Sequence, residues 1–404
     1  LSALIPSPTQ GNILSVHALQ SFSDVLLNRG ENGEAKTLSF GGTRRVRVSP
    51  QAWNRSTRKM VRQELQKLGK NHVITTRNLP SQIAQLLAED HGVDPALATA
   101  YGHAALEAAG IGTNEEGNGT TKVTLVVPQA AIADLTRVTA EHLGELRPFV
   151  DKLLVIFQLT AAKKVKGAEE PAMSMEEAKA IPMNITLDLK KQLRRALDSS
   201  GEVDLALFGR FIAELTEWSV PSAVHTGNAI TVQEAHIDTD FFSLIDDVLE
   251  EAGVNASVHV QHSEFTSGTF YRNAYLDRAV LRKNLAQGFK DKSDPAIDLL
   301  QELAEDVFVQ SFTKSVPKSK STRTSSNTLP FFVAVTDSDH PVNGQGAFLK
   351  ALPRNAEDVE ERAVEDLIAY LDSVSVLAPI HGGVAFSPRV GGDFTIGGIA
   401  LDRI

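Results

Sequence analysis

Phe40-Gly41-Gly42-Thr43-Arg44-Arg45-Val46-Arg47-Val48-Ser49-Pro50-Gln51 is the stretch from which the rest of the chain is read. From Arg44 to Val48, strand periodicity sets Val46 and Val48 on one face and Arg45 and Arg47 on the other. One face packs and the other is cationic. Ser49 then reads as an N-cap and Pro50 as the first helical residue, with Gly69 closing the helix. Trp53, Met60, Val61, Leu65 and Leu68 form its apolar stripe, while Arg55, Lys59 and Arg62 recur at helical spacing on another face. Strand and helix together present cations beside a helix N-terminus, whose free amides themselves attract phosphate.

Charge supports that reading once it is split along the chain. The net charge over 404 residues is −10. From Arg29 to Lys70, however, eleven Lys or Arg face three acids, a local +8 that leaves −18 for the remainder. A basic stretch on an acidic body favours a defined phosphate track over general stickiness. A solvated charged face is the other reading of the same residues. At 42% hydrophobic and 22% charged residues the chain is expected to fold. The absence of cysteine removes disulfides, thiolate metal sites and thiol enzymes. No apolar run is long enough to span a bilayer, and Leu1 to Ala18 lacks signal-peptide character, so no membrane partner and a cytoplasmic location are expected.

Working outward, Leu14 to Leu19 reads as a first strand, followed by a polar loop from Ser23 to Lys36 that carries Asn28 and Arg29. From Leu79 to about Leu197 the pattern is mostly helical, with a strand at Lys122 to Val127 and a Gly/Asn-rich break from Gly110 to Gly119. A charged loop spans Lys163 to Pro171. Strand-like segments return at Val203–Phe208, Ala229–Val232, Ser257–Gln261, Thr269–Ala274 and Phe331–Val335. Helices are expected at Asp240–Glu251, Asp277–Phe289 and Ile297–Phe312, which makes the order α+β. The polar loop Lys314 to Asn327 bears Lys318, Lys320 and Arg323, a second phosphate contact or simply a solvated loop.

Signatures of catalysis are missing: no GxxxxGK[ST], no GxGxxG after a strand, no HExxH and no GxSxG. His259 with His262, and Asp238 with Asp240, lack a third ligand at recognisable spacing, so neither a metal nor another cofactor is expected. The glycine doublets between Gly382 and Gly398 read as turns between short strands.

Val16-His17-Ala18-Leu19, Leu27-Asn28-Arg29 and the quoted F-G-G-x-R-R-V-R run are followed by further blocks in the same order. These are Ala206-Leu207-Phe208-Gly209-Arg210, Ala229-Ile230-Thr231, Asp238-Thr239-Asp240-Phe241-Phe242 and Glu264-Phe265-Thr266-Ser267-Gly268-Thr269-Phe270-Tyr271-Arg272. Together they closely resemble the backbone subunit of the type I-E CRISPR Cascade complex. The resemblance implies an α+β fold with a modified RNA-recognition-motif (ferredoxin-like) palm over 11–70 and 200–345, and a helical fingers insertion over 71–199. It further implies a protruding thumb over 209–228, which leaves 346–404 as a C-terminal extension.

By the same resemblance, Asn28, Arg29, Lys36, Ser49, Gln51, Arg55 and Arg58 lie in segments that grip RNA phosphates and riboses. Phe40, Gly41, Gly42, Arg44, Arg45, Arg47 and Lys59 complete the expected RNA-binding set, with Lys318, Lys320 and Arg323. Asn54 departs from the family, which carries a lysine there. The thumb would displace a nucleotide with an apolar wedge drawn from Phe211, Ile212, Leu215, Trp218 and Val220, unless these pack against a neighbouring element. The implied partners are a CRISPR RNA, target DNA through that guide, further copies of the chain, and the large, small and two end-capping Cascade subunits. No enzymatic role is expected. The competing classes are an RNA-cleaving backbone subunit and a scaffold without RNA; Asp204, the residue a cleavage reading would use, is expected in a strand facing solvent or a partner.

Overall fold

The strands run β1 (Ile13–Val25), β2 (Thr37–Phe40), β3 (Thr43–Val48), β4 (Val73–Thr76), β5 (Leu125–Pro128), β6 (Val224–Thr226), β7 (Ala229–Thr231), β8 (His236–Ile245), β9 (Ser257–Asp277), β10 (Phe332–Ser338) and β11 (Ile380–Phe386). Three two-residue strands follow: β12 (Thr395–Ile396), β13 (Ile399–Ala400) and β14 (Asp402–Arg403). The helices are α1 (Pro50–Lys67), α2 (Leu79–His91), α3 (Pro95–Ala108), α4 (Ala131–Glu141), α5 (Leu143–Ala162), α6 (Met175–Ala180), α7 (Leu187–Ala196), α8 (Val203–Phe208), α9 (Arg278–Ala286), α10 (Ala296–Lys314), α11 (Ser321–Thr324) and α12 (Val359–Val374). This computed structural model describes residues 4–6, 10–164, 174–180, 182, 184–211, 218–245 and 257–404.

The chain divides into two compact units, one of Leu1–Lys67, Ala206–Phe208 and Ser222–Ile404, the other of Leu68–Leu205 and Gly209–Pro221. The first is an α+β unit built on a large, mostly antiparallel sheet, ordered β14-β11-β10-β1-β9-β7-β3-β2, with β6 and β8 also paired to β9. Burial along β1 explains its centrality: its first eight residues are all buried because β10 and β9 flank it on either side.

Alternation along β9 separates two faces. Arg272 faces α1 and α10, its guanidinium 4.5 Å from the Trp53 ring centre and 4.8 Å from that of Phe312. Tyr271 faces the opposite way and packs with Phe348, Leu367, Phe332 and Phe394. The C-terminal segment thus covers that face, and β11 extends the sheet beyond β10. Buried charge fixes the other end of the strands: Arg278 pairs with Glu305 at 2.9 Å and with Asp337, whose second oxygen accepts from Gln10 N and Gly11 N.

Toward its start, β9 leaves the sheet. Ser257 to Phe265 pair with β8 alone, so the β8–β9 hairpin projects as a two-stranded ribbon. That observation corrects the helix expected at Asp240–Glu251, whose residues up to Ile245 are strand and whose remainder lies outside the described residues. Val203–Phe208, expected as a strand, is a short helix ended by Gly209. Asp204 within it is 1% exposed and accepts Val73 N at 3.0 and 3.2 Å, so it does not face solvent.

The second unit is helical, with α2, α3, α4, α5 and α7 around a core containing Leu79, Leu106, Leu135, Leu146 and Leu193. The expected strand near Lys122–Val127 is β5, and it pairs with β4, which the pattern did not reveal. The Gly/Asn-rich break is organised by buried His103, whose Nε2 accepts Gly119 N at 3.2 Å. Burial lowers the pKa of His103 to about 4. The expected Lys163–Pro171 loop lies mostly outside the described residues.

Candidate nucleic-acid interface

Helix α1 sets the first wall of the site. Ser49 Oγ accepts Ala52 N at 3.3 Å as an N-cap, Pro50 follows, and Gly69 ends the run at φ +65°. Its buried stripe is Trp53, Thr57, Val61 and Leu65. Leu68, expected in the stripe, lies past the helix and is exposed. Arg55 and Lys59 are exposed, Gln51 likewise, and Arg58 and Arg62 are half-buried. Asn54, the departure from the family, serves packing within the unit: its Oδ1 accepts Thr226 Oγ1 at 2.5 Å.

The loop after β1 is tied to this helix. Asn28 Oδ1 accepts Ser49 N at 3.0 Å, and Asn28 O accepts Lys36 N at 3.3 Å. Half-buried Lys36 in turn accepts Arg47 N through its carbonyl at 2.8 Å. This short ladder turns Arg29 outward, where it lines three neighbouring grooves of about 540, 470 and 450 Å³.

The same grooves gather residues almost 300 positions apart. Arg55, Lys59 and Lys318 line one with Arg29. Lys320 and Arg323 line another with Arg29, closed by Thr239, His262 and Ser263 of the ribbon. Two of the acids present are engaged by backbone: Glu34 accepts Asn32 N, and Glu264 accepts Ala35 N at 2.7 Å. Burial, and then the positive charges of Arg323 and Arg29, lower the pKa of Lys320, against the opposing pull of Asp240. Like charges gathered in an open groove favour an anion there.

Other expected contacts are placed elsewhere. Arg45 does not join Arg47 on a cationic face: it is fully buried and donates to Thr231 O, Val232 O and Phe348 O at 2.8 to 2.9 Å. Burial lowers its pKa, with Glu234 opposing. Two adjacent buried positions, Arg45 and Val46, break the simple alternation because the sheet is covered on both sides here. Gly41, at φ +59°, forms the β2–β3 turn with Gly42, and a Cβ on it would meet Leu349 O at 1.6 Å. Its absence of side chain therefore serves a close backbone approach. Phe40 is half-buried at that turn, Arg44 is exposed with Nε donating to Thr37 Oγ1, and Arg47 donates to Asn228 Oδ1 at 3.2 Å.

The wedge candidates also separate. Val220 is buried with Val73 and Leu205, and Trp218 packs on the helical core under the Arg210 guanidinium. Both thus pack within the helical unit, the alternative to a wedge role. Phe211 is 79% exposed, and Ile212 and Leu215 lie outside the described residues. Residues 212–217 of the expected thumb lie outside the described residues; the β8–β9 ribbon carries exposed Phe241 stacked edge-on to His262 at 4.5 Å.

Sequence reasoning missed Arg272. It is fully buried, donates to Gln20 Oε1, Thr313 O and Phe312 O, and has its pKa pushed down to about 9 by burial. Its place in the F-Y-R run gave no sign that it joins α1 to α10. Among the described residues no three His, Cys, Asp or Glu gather to hold a metal, and no helix is long and apolar enough to cross a membrane.

Residues 14–377 match the family model described as "CT1975-like protein". No curated protein matches. Among solved structures, a chain of a "CRISPR RNA-guided surveillance complex, pre-nicking" is similar over 97% of this chain and 96% of its own, at 25% identity and TM-score 0.74. A chain of a second "CRISPR RNA-guided surveillance complex" covers 97% and 95% at 22% identity and TM-score 0.66, a likeness of fold.

Proposed function

The chain belongs to the CT1975-like protein family, and from that premise we propose that it is a non-catalytic backbone subunit that grips a guide RNA within a Cascade-type surveillance complex. The observation that carries this reading is the convergence of Arg29, Arg55, Lys59, Lys318 and Arg323 on neighbouring grooves of an otherwise acidic chain. The solved chain at 25% identity belongs to an RNA-guided complex, which supports RNA as the polyanion. The F-G-G-x-R-R-V-R and E-F-x-S-G-x-F-Y-R runs favour the type I-E form, with several copies along one guide and large, small and end-capping subunits as partners.

Function then divides between protein and RNA. Phosphate contacts hold the guide without reading it, and pairing with invading DNA supplies specificity. Apolar burial of the Tyr271 face removes it as a stacking platform for bases, which suits a subunit that must accept any guide sequence. Burial of Asp204 against Val73 N argues against its use in RNA cleavage.

The test is a titration of unrelated single-stranded RNAs at several salt concentrations. Affinity is expected to fall steeply with salt and to vary little with sequence. A flat salt response with sharp sequence discrimination refutes the proposal. Purification beside a guide RNA is expected to retain a discrete guide-length RNA, lost when Arg29, Arg55 and Lys59 are replaced by alanine.

A further inference from the structure

We infer that Lys320 is a positioning residue rather than a phosphate contact, pinning the loop that carries α11 to the β8–β9 ribbon and so shaping the groove that Arg29 and Arg323 line. This rests on the reading of that groove as an RNA site.

Three observations of different kinds meet at this side chain. Lys320 Nζ donates to Ser263 Oγ on β9. It also sits 5.3 Å over the ring of Phe265, which is buried with Leu26 and Ala35. An ammonium on an aromatic face and a hydroxyl is already coordinated, so moving it to a phosphate forfeits both contacts. Finally, Lys320 has φ +51° and ψ 18°, a left-handed conformation that L-residues adopt at a cost. Ser325, which closes the same turn, has φ +46°. Of the three non-glycine residues with positive φ among the described residues, two therefore bracket α11. Such backbone persists where the surroundings over-determine it, and the Nζ contacts to the ribbon supply that restraint.

The consequence is a groove with one wall held in place before any ligand arrives. Loop ordering is then complete in the free protein, which lowers the entropic cost of gripping RNA. Arg323 and Arg29 line that groove and are the cations assigned to phosphate there.

The experiment compares Ser263→Ala and Lys320→Met by amide hydrogen exchange in the RNA-free full chain, then measures salt-dependent RNA binding by Lys320→Met and Arg323→Ala. Loss of a charge-assisted hydrogen bond is expected to speed exchange across 318–326 by about tenfold or more in both of the first two variants. Ser263→Ala removes one hydroxyl and changes no charge, so it preserves the fold while deleting the acceptor of Lys320 Nζ. In binding, Arg323→Ala is expected to lower the slope of log affinity against log salt by about 0.7, and Lys320→Met to leave the slope unchanged. Unchanged exchange in Ser263→Ala, or a slope loss in Lys320→Met equal to that of Arg323→Ala, overturns the inference. The exchange arm contains no RNA, so it decides the pin by itself. If Arg29→Ala and Arg323→Ala both leave the slope intact, the RNA-site reading fails instead.

Discussion

Replacing Arg45 by methionine separates a structural arginine from an RNA contact. The substitution keeps the apolar stem but removes a guanidinium bonded to three carbonyls at 0% exposure. Val232 O retains Leu352 N at 2.9 Å, so Thr231 O and Phe348 O bear most of the loss. Each buried acceptor left without its donor costs about 1–3 kcal/mol, which places the total on the order of 4 kcal/mol. Relief of the arginine's own desolvation works against that loss, and the remaining deficit is still large beside the usual effect of a surface substitution. The chain has two tryptophans, Trp53 and Trp218, so a Trp218→Phe background leaves Trp53 as the reporter of the sheet unit. In urea the Trp53 transition of Arg45→Met is expected to move down by roughly 1 M for a slope of a few kcal/mol per molar. At low urea, its RNA salt slope is expected to match the parent. A parent-like urea midpoint together with a reduced salt slope refutes the structural assignment and returns Arg45 to the phosphate track.

Four further outcomes are expected. Arg29→Ala, Arg55→Ala and Lys59→Ala each lower the RNA salt slope by about 0.7, measured by fluorescence anisotropy, with similar losses for unrelated sequences. Val220→Ala destabilises the helical unit by on the order of 2 kcal/mol by loss of buried contact, read by hydrogen exchange, whereas Phe211→Ala leaves stability unchanged because its ring is exposed. Gly41→Ala unfolds at lower urea, because the turn needs φ +59° and the new Cβ meets Leu349 O. Stability falls as pH drops from about 6.5 toward 4: His17 and His103, both lowered to about 4 by burial, stay neutral in the fold while the unfolded chain takes up protons. The loss is on the order of 3 kcal/mol for each histidine, and His17→Phe removes part of the slope in pH-dependent urea denaturation.

Much of the site was legible because local patterns carried it. Ser49-Pro50 and Gly69 mark both ends of α1, and the spacing of Arg55 and Lys59 sets them opposite Trp53 and Val61. The polar loop after α10 was likewise recognised by composition, although only the fold shows Lys318 and Arg323 beside Arg29. Errors occurred where tertiary context overrides periodicity. Strand alternation predicts one dry and one wet face, but β3 lies in a sheet with cover on both sides, so Arg45 is buried beside Val46. Val203–Phe208 has the apolar richness of a buried strand and the length of either element; the short helix wins because Asp204 in its first turn binds Val73 N. The ribbon escaped notice because Ser257–Gln261 and Thr269–Ala274 read as separate strands, whereas they are one continuous β9.

These differences bear on mechanism through a division among the arginines. Arg45, Arg210, Arg272 and Arg278 are buried, and each gives its guanidinium to backbone carbonyls: Arg45 to Phe348, Arg210 to Val126, Arg272 to Thr313, Arg278 to Gly11. A guanidinium has five donors in a rigid plane, which suits it to joining strands and loops that share no ladder. Arg29, Arg55 and Arg323 have the same chemistry but stand in open grooves. Composition cannot distinguish the two groups, and the local charge of the N-terminal stretch therefore counts Arg45, which is internal, with the exposed cations. The exposed remainder lines neighbouring grooves, with the Asn28–Ser49 hydrogen bond on one side and the Lys320–Ser263 hydrogen bond on the other. On the proposed function, these groups make a grip that is blind to base identity, and its affinity is expected to track salt before it tracks sequence.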